Sequence, residues 1–118
     1  MSRDGGITLD WADGEHRFRL AWGELRQLQE ACDAGPFVIL QRLQLGSWKL
    51  GDISETIRLG LIGGGATPER ALQLVRDYVE ARPPLENVKL ALGVLAAAVI
   101  GPEDERLGED DAATDQKA

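Results

Sequence analysis

The stretch LGLIGGGATPERAL, residues 59–72, sets three glycines in a row ahead of Thr67-Pro68-Glu69. A glycine-rich loop that opens a helix is one way a protein holds phosphate. The same pattern is also how one helix stops and the next begins. A phosphate loop needs a strand before it, a Lys, and a Ser or Thr beside the Lys. Here the preceding segment, Asp52–Leu61, has helical spacing, and no Lys occurs between Lys49 and Lys89. The G-x-G-x-x-G dinucleotide fingerprint is absent as well. The reading is therefore punctuation between helices. Gly63-Gly64-Gly65 permits positive φ at a helix stop. Thr67 is the next N-cap, Pro68 the first helical residue, and Glu69 suits the positive end of the helix dipole.

Both flanks follow from that reading. Upstream, Ile53, Ile57 and Leu61 stripe one face of a helix over about 52–62, with Asp52 as N-cap and Glu55 three residues on. Downstream, Ala71, Leu72, Val75, Tyr78 and Val79 make an apolar stripe over about 68–82, which Pro83-Pro84 ends. Further towards the N-terminus, Trp22, Leu25, Leu28, Gln29 and Cys32 share helical spacing over about 22–33. Gly35-Pro36 separates that helix from one over about 36–45, with Phe37, Leu40 and Leu43 on its inner side. The last helix, about 85–100, is apolar all round from Leu90 to Ile100. Such a helix is central to the core, or one side of it meets a partner.

The N-terminal residues have the other period. Ile7, Leu9 and Trp11 alternate with Thr8 and Asp10, and His16, Phe18 and Leu20 alternate with Arg17 and Arg19. Asp13-Gly14 between them is a favoured two-residue hairpin turn. That turn predicts Trp11 opposite His16, Asp10 opposite Arg17, Leu9 opposite Phe18 and Ile7 opposite Leu20. It puts the apolar side chains on one face and an ion pair on the other. The fold class is thus α+β, mostly α: a hairpin over residues 7–20 on about five short helices. Residues 1–102 form a single domain, and 103–118 form a disordered acidic tail.

Composition limits the function. The chain has 118 residues, 43% hydrophobic and 28% charged, and a net charge of −7. Seven acids between 103 and 118 face only Arg106 and Lys117, so the body is near neutral. No clustered basic face suggests nucleic acid. The apolar run Leu90–Ile100 is about half the ~20 residues of a membrane span. The N-terminus lacks the apolar stretch of a signal peptide. Cys32 is the one cysteine, so no internal disulfide can form. A cytoplasmic protein is expected.

No residue set carries chemistry. His16, the one histidine, falls on the apolar hairpin face opposite Trp11 and reads as structural. Cys32 reads as a small buried thiol. A Cys32–His16 pair has no indicated third member, and no ligand set for a metal is present. Catalytic, cofactor and metal sites are therefore all read as none, and the chain as a non-enzyme. Partner contacts are the remaining function. Trp11 sits on the hairpin face. Trp48, in the loop Gly46-Ser47-Trp48-Lys49, is either a core plug or an interface anchor. Leu92, Leu95 and Val99 supply apolar surface on the last helix.

Residues 35–101, GPFVILQRLQLGSWKLGDISETIRLGLIGGGATPERALQLVRDYVEARPPLENVKLALGVLAAAVIG, resemble the gene transfer agent family of phage-derived tail proteins. The motifs IRLGLIGGG and RPPLEN stand in the family's order and spacing. The hairpin and WGELRQLQEA, residues 22–31, fit too. The family pattern has one proline before Leu85 where this chain has Pro83-Pro84. The resemblance implies a tail assembly chaperone of phage-like particles in alphaproteobacteria, one that coats the tape-measure protein until tube subunits replace it. It also implies an alternative, a structural subunit of the tail tube. Tube subunits build β-rich rings, and one hairpin ranks that alternative lower. A small helical interaction or regulatory module is the third reading. Expected partners are the tape-measure protein, other tail proteins or further copies of the chain.

Overall fold

The computed structural model describes residues 3–102; the acidic tail lies outside them. The order is β1 (Gly6–Trp11), β2 (Gly14–Arg19), α1 (Trp22–Cys32), α2 (Pro36–Leu45), α3 (Leu50–Gly63), α4 (Pro68–Val75) and α5 (Val88–Val99). A π-helical turn, Arg76–Glu80, continues α4, and a 3-10 turn, Pro84–Asn87, leads into α5. The expected class, a hairpin on five helices, is the observed one. Two helices are shorter than the sequence suggested, because the segments 68–82 and 85–100 each change helix type partway.

The hairpin has the expected face but not the expected register. The turn is Ala12-Asp13, with Ala12 at φ 58°. Trp11 is opposite Gly14, Asp10 opposite Glu15, Leu9 opposite His16, Thr8 opposite Arg17 and Ile7 opposite Phe18. This is a shift of two residues from the predicted pairing. Side chains alternate with period two, so the shift leaves every residue on its own face, and the hydrophobic pattern cannot exclude it. The expected Asp10–Arg17 pair does not form. Arg17 instead bonds Asp4.

Phe18 and Leu20 anchor the hairpin in a core built on α3 and α5. The α3 stripe is as expected: Ile53, Ile57 and Leu61 are buried. Helix α5 runs through the middle, with Ala91, Val94, Leu95 and Ala97 buried, and packs on α2, α3 and both strands. Three stripes hold for most of their residues, with Leu40, Leu43, Ala71, Val75 and Val79 buried, and each differs at one member. In α1 Leu28 and Cys32 go inside while Trp22 stays out. In α2 Ile39 is buried and Phe37 exposed. In α4 Leu74 is buried and Leu72 exposed. Each of these helices has apolar residues on two adjacent faces, so periodicity alone does not say which one the core takes.

The glycine triplet has two duties. Only Gly65 has positive φ, at 117°. Gly64 caps α3 in a right-handed conformation, φ −83° and ψ −4°. The loop amides turn inward: Gly64 N–H donates to the Gly60 and Leu61 carbonyls, Gly65 N–H to Ile62, and Ala66 N–H to Leu61. They finish α3, as in a Schellman-type stop, and do not form an anion cradle. Thr67 Oγ1 accepts from Arg70 N–H at 3.1 Å, and Pro68 opens α4, as predicted.

The second duty is close packing. A Cβ on Gly63 would overlap the carbonyl oxygen of Arg19, and one on Gly64 that of Arg17, both well under 3.0 Å. One turn earlier, a Cβ on Gly60 would meet Val94 Cγ1 at 2.9 Å. The end of α3 therefore lies backbone to backbone on the outer edge of β2. Gly64→Ala is expected to destabilise the protein by about 3 kcal/mol through overpacking. In Gly93→Ala the new Cβ meets nothing within 4 Å, and removing a mid-helix glycine should stabilise by roughly 0.5–1 kcal/mol. Urea unfolding of both variants checks the contrast. A neutral Gly64→Ala would contradict the close approach.

Candidate functional site

The polar side chains that touch one another are structural. Asp52 was expected as the N-cap of α3; Lys49 takes that position, and Asp52 sits one turn inside. Its buried carboxylate accepts Lys49 N–H at 2.8 Å. It also takes both arms of Arg42, Nε to Oδ2 at 2.9 Å and Nη2 to Oδ1 at 2.7 Å. This fork joins α2 to α3 beside the buried end of α1. Burial, reinforced by the Asp52 charge, pushes the Cys32 thiol up to about 11. A thiol held neutral at physiological pH is a poor nucleophile.

His16 belongs to a different group. Its Nε2 meets Asp13 Oδ1 at 2.8 Å, and its ring stands edge-on to Trp11. The Asp13 carboxyl is held below its ordinary range by the bond to His16, and by Arg70 reaching across from α4. Cys32 and His16 thus have separate partners. Among the described residues no three or more His, Cys, Asp or Glu gather as a metal set. No described helix is long and apolar enough to cross a membrane.

The expected contact residues fall into three environments. Trp11 is a bracket. Its Nε1 donates to Asn87 Oδ1 at 2.9 Å, and Asn87 Nδ2 donates to the Tyr78 carbonyl at 2.8 Å. The indole also meets Phe18 and Tyr78 edge-on, both with centroids 6.0 Å away. Asn87, buried at the end of the RPPLEN motif, thereby ties the hairpin to the π-helical turn. Leu95 is fully buried in the core, so it offers no surface to a partner in this conformation. Trp48, Leu92 and Val99 are half-buried and packed against the core.

Among the described residues Trp22, on the first turn of α1, is a large apolar side chain left 81% accessible. Trp22, Leu25, Arg26 and Gln29 share one face of α1, and with Pro36 they line an open cleft of about 290 Å³. A second cleft of about 350 Å³ begins at Trp22 and Leu25 and runs to Val99 and Ile100. The second is bounded also by Arg3, Asp4 and Arg19, so the apolar ridge is the Trp22–Leu25 face of α1 with Pro36, and Phe37 is exposed beyond it. Sequence reasoning put Trp22 on one stripe with Leu28 and Cys32. The available signal was that Trp22, Leu25 and Gln29 form their own stripe, offset from that of Leu28 and Cys32. Exposed apolar patches with an aromatic anchor are a general mark of protein-contact surfaces.

The family model described as phage tail tube protein, GTA-gp10, matches residues 4–101. No curated protein and no solved structure matches the chain.

The two tryptophans should separate cleanly. Trp22→Ala is expected to change stability by no more than about 0.5 kcal/mol. Trp11→Ala should lose about 2 kcal/mol or more, because it leaves a cavity and an unpaired Asn87 carbonyl. Denaturant titration of both checks this. Native Cys32 should react with a thiol reagent at pH 8 far more slowly than the unfolded chain does, and comparable rates would contradict its burial.

Proposed function

The chain belongs to the family described as phage tail tube protein, GTA-gp10, and from that premise we propose that it serves in building a phage-type tail by binding other tail proteins. The observation that carries this reading is the Trp22 ridge, an apolar surface with an exposed tryptophan at its centre. Tryptophan anchors supply a large share of binding energy where a partner buries them. The work is adhesion rather than catalysis, and it takes place in the cytoplasm.

Two finer readings stand within it. The family's description favours the tail tube subunit over the assembly chaperone that the sequence analysis ranked first. One feature of the geometry favours the chaperone. A ring closed by strand pairing needs two open strand edges on each subunit. Here α3 covers the outer edge of β2 through Gly63 and Gly64. In this conformation the hairpin can extend from β1 alone. A chaperone holding the tape-measure protein or another tail protein on its apolar ridge needs no such ring.

Mass spectrometry of purified particles, beside affinity capture from the producing cells, separates the readings. A tube subunit is a major particle protein. A chaperone is captured with a tail protein from lysate and is scarce in particles. In either case Trp22→Ala should weaken binding to the identified tail protein by about 1–2 kcal/mol or more while the fold stays intact. Unchanged binding would remove the ridge from the interface.

A further inference from the structure

Helix α2 buries Ile39, Leu40 and Leu43 and turns Phe37, Val38, Gln41, Gln44 and Leu45 to solvent. At 3.6 residues per turn these exposed positions fall within an arc of about 120°. The outer face of a surface helix ordinarily carries charge, and this one carries none. The single charged side chain of α2, Arg42, has both arms on Asp52. The other four helices each carry a charged side chain that is not buried, among them Arg26, Glu55, Arg70 and Lys89. The apolar members of the α2 face stand well out, with Phe37 57% and Leu45 80% exposed. Depletion of charge around exposed aromatic and aliphatic residues is the composition of an interface core.

The placement of the nearest charges says what fits there. In a two-fold contact, residues at the axis meet their own kind, so a charge there is repelled by its copy and an uncharged face is not. Around α2, charge stands beyond the helix ends. Asp33 lies just before the Gly35 N-cap, and Lys49 lies just after the Gly46 C-cap; both are exposed, and neither joins an ion pair among the described residues. An antiparallel arrangement of two copies brings the Asp33 end of each helix to the Lys49 end of the other and opposes the two helix dipoles. A parallel one sets acid beside acid and base beside base.

We propose that α2 packs antiparallel against α2 of a second copy, with Gln41 on the two-fold axis. Gln41 is the midpoint of the face that runs from Phe37 to Leu45. Full overlap then sets Phe37 of each copy near Leu45 of the other and brings the two Gln41 amides together. Primary amides related by a two-fold axis can exchange a pair of N–H···O bonds, since each holds both donors and an acceptor. A face of one short helix is well below the about 20–30 residues a side of a standard interface, so the dimer is weak and reversible. It does not rest on the proposed tail function, since it uses neither Trp22 nor Leu25.

Sedimentation velocity of the full chain, from low micromolar to millimolar concentration, tests it. The wild type should form a reversible dimer. Gln41→Lys and Gln41→Glu each set a charge against its own copy at the axis, and each should raise the dissociation constant about tenfold or more. Lys and Glu are good helix formers, so the circular dichroism spectrum should not change. An equimolar mixture of the two variants should dimerise again, because opposite charges then meet across the axis. That rescue belongs to a two-fold contact centred on Gln41, and an asymmetric contact would not show it. Trp22→Ala should leave the dimer unchanged. Should a charged variant lose helix, the wild type still gives the reading: amide shifts of α2 should move with concentration while those of β1 stay fixed. A wild type that is monomeric throughout overturns the proposal. So does a dimer that tolerates both Gln41 substitutions, a mixture of the two that fails to pair, or dissociation on Trp22→Ala instead.

Discussion

The approach of Gly63 and Gly64 to the carbonyls of Arg19 and Arg17 is the constraint on which the remaining geometry depends. A two-stranded hairpin alone is marginal in water and needs a surface to lie on. Helix α3 supplies it, and the absence of side chains at its last residues lets the helix end come against the strand backbone. That position sets the depth at which Phe18 enters the core beside Gly60 and Val94. It also fixes how α5, packed on α3, passes beneath both strands. The same glycines end the helix, so one short sequence sets a stop, a turn and an interface.

At the opposite end of α3 a polar contact has the same organising role. Asp52 is fully buried and doubly bonded to Arg42. A buried ion pair gains little over well-packed apolar residues, because both charges lose their water. Removing one partner is another matter, typically about 3–5 kcal/mol, since the remaining charge is then uncompensated. The planar guanidinium accepts few arrangements of its carboxylate. The fork therefore specifies the α2–α3 orientation more than it adds to stability. Helix α3 is held by geometry at both ends, backbone against β2 and a charged fork against α2.

What the sequence made legible was local. Thr67-Pro68 announces a helix start within four residues, and the structure has it there. The hairpin's inner face was legible because alternation is a property of one strand. Its register was not, since a two-residue shift preserves alternation, and Asp13-Gly14 gave a turn one residue away from the true Ala12-Asp13. Asp52 looked like a cap because its partner Arg42 lies on another helix, and sequence spacing carries no sign of that pairing. The π-helical and 3-10 turns were missed for a similar reason. Asn87 reaches the Tyr78 carbonyl and the Trp11 indole across the fold. Of the candidate contacts, Leu95 went to the core and Trp11 became a bracket, while exposed Trp22 lay on a second stripe of a helix already credited with one.

The exposed surfaces divide by the contacts they permit. The Trp22 ridge is apolar and tolerant of shape, suited to a partner that brings its own apolar residues. The β1 edge is polar and directional, and accepts only an extended strand in register. The two glycines of α3 are what keep these contacts apart. Were β2 open as well, each hairpin would offer two edges, and association through the sheet could continue into rings or filaments. By covering one edge, the end of α3 at Gly63 and Gly64 removes β2 from such pairing and leaves the exposed helical surface as the broader route to a partner.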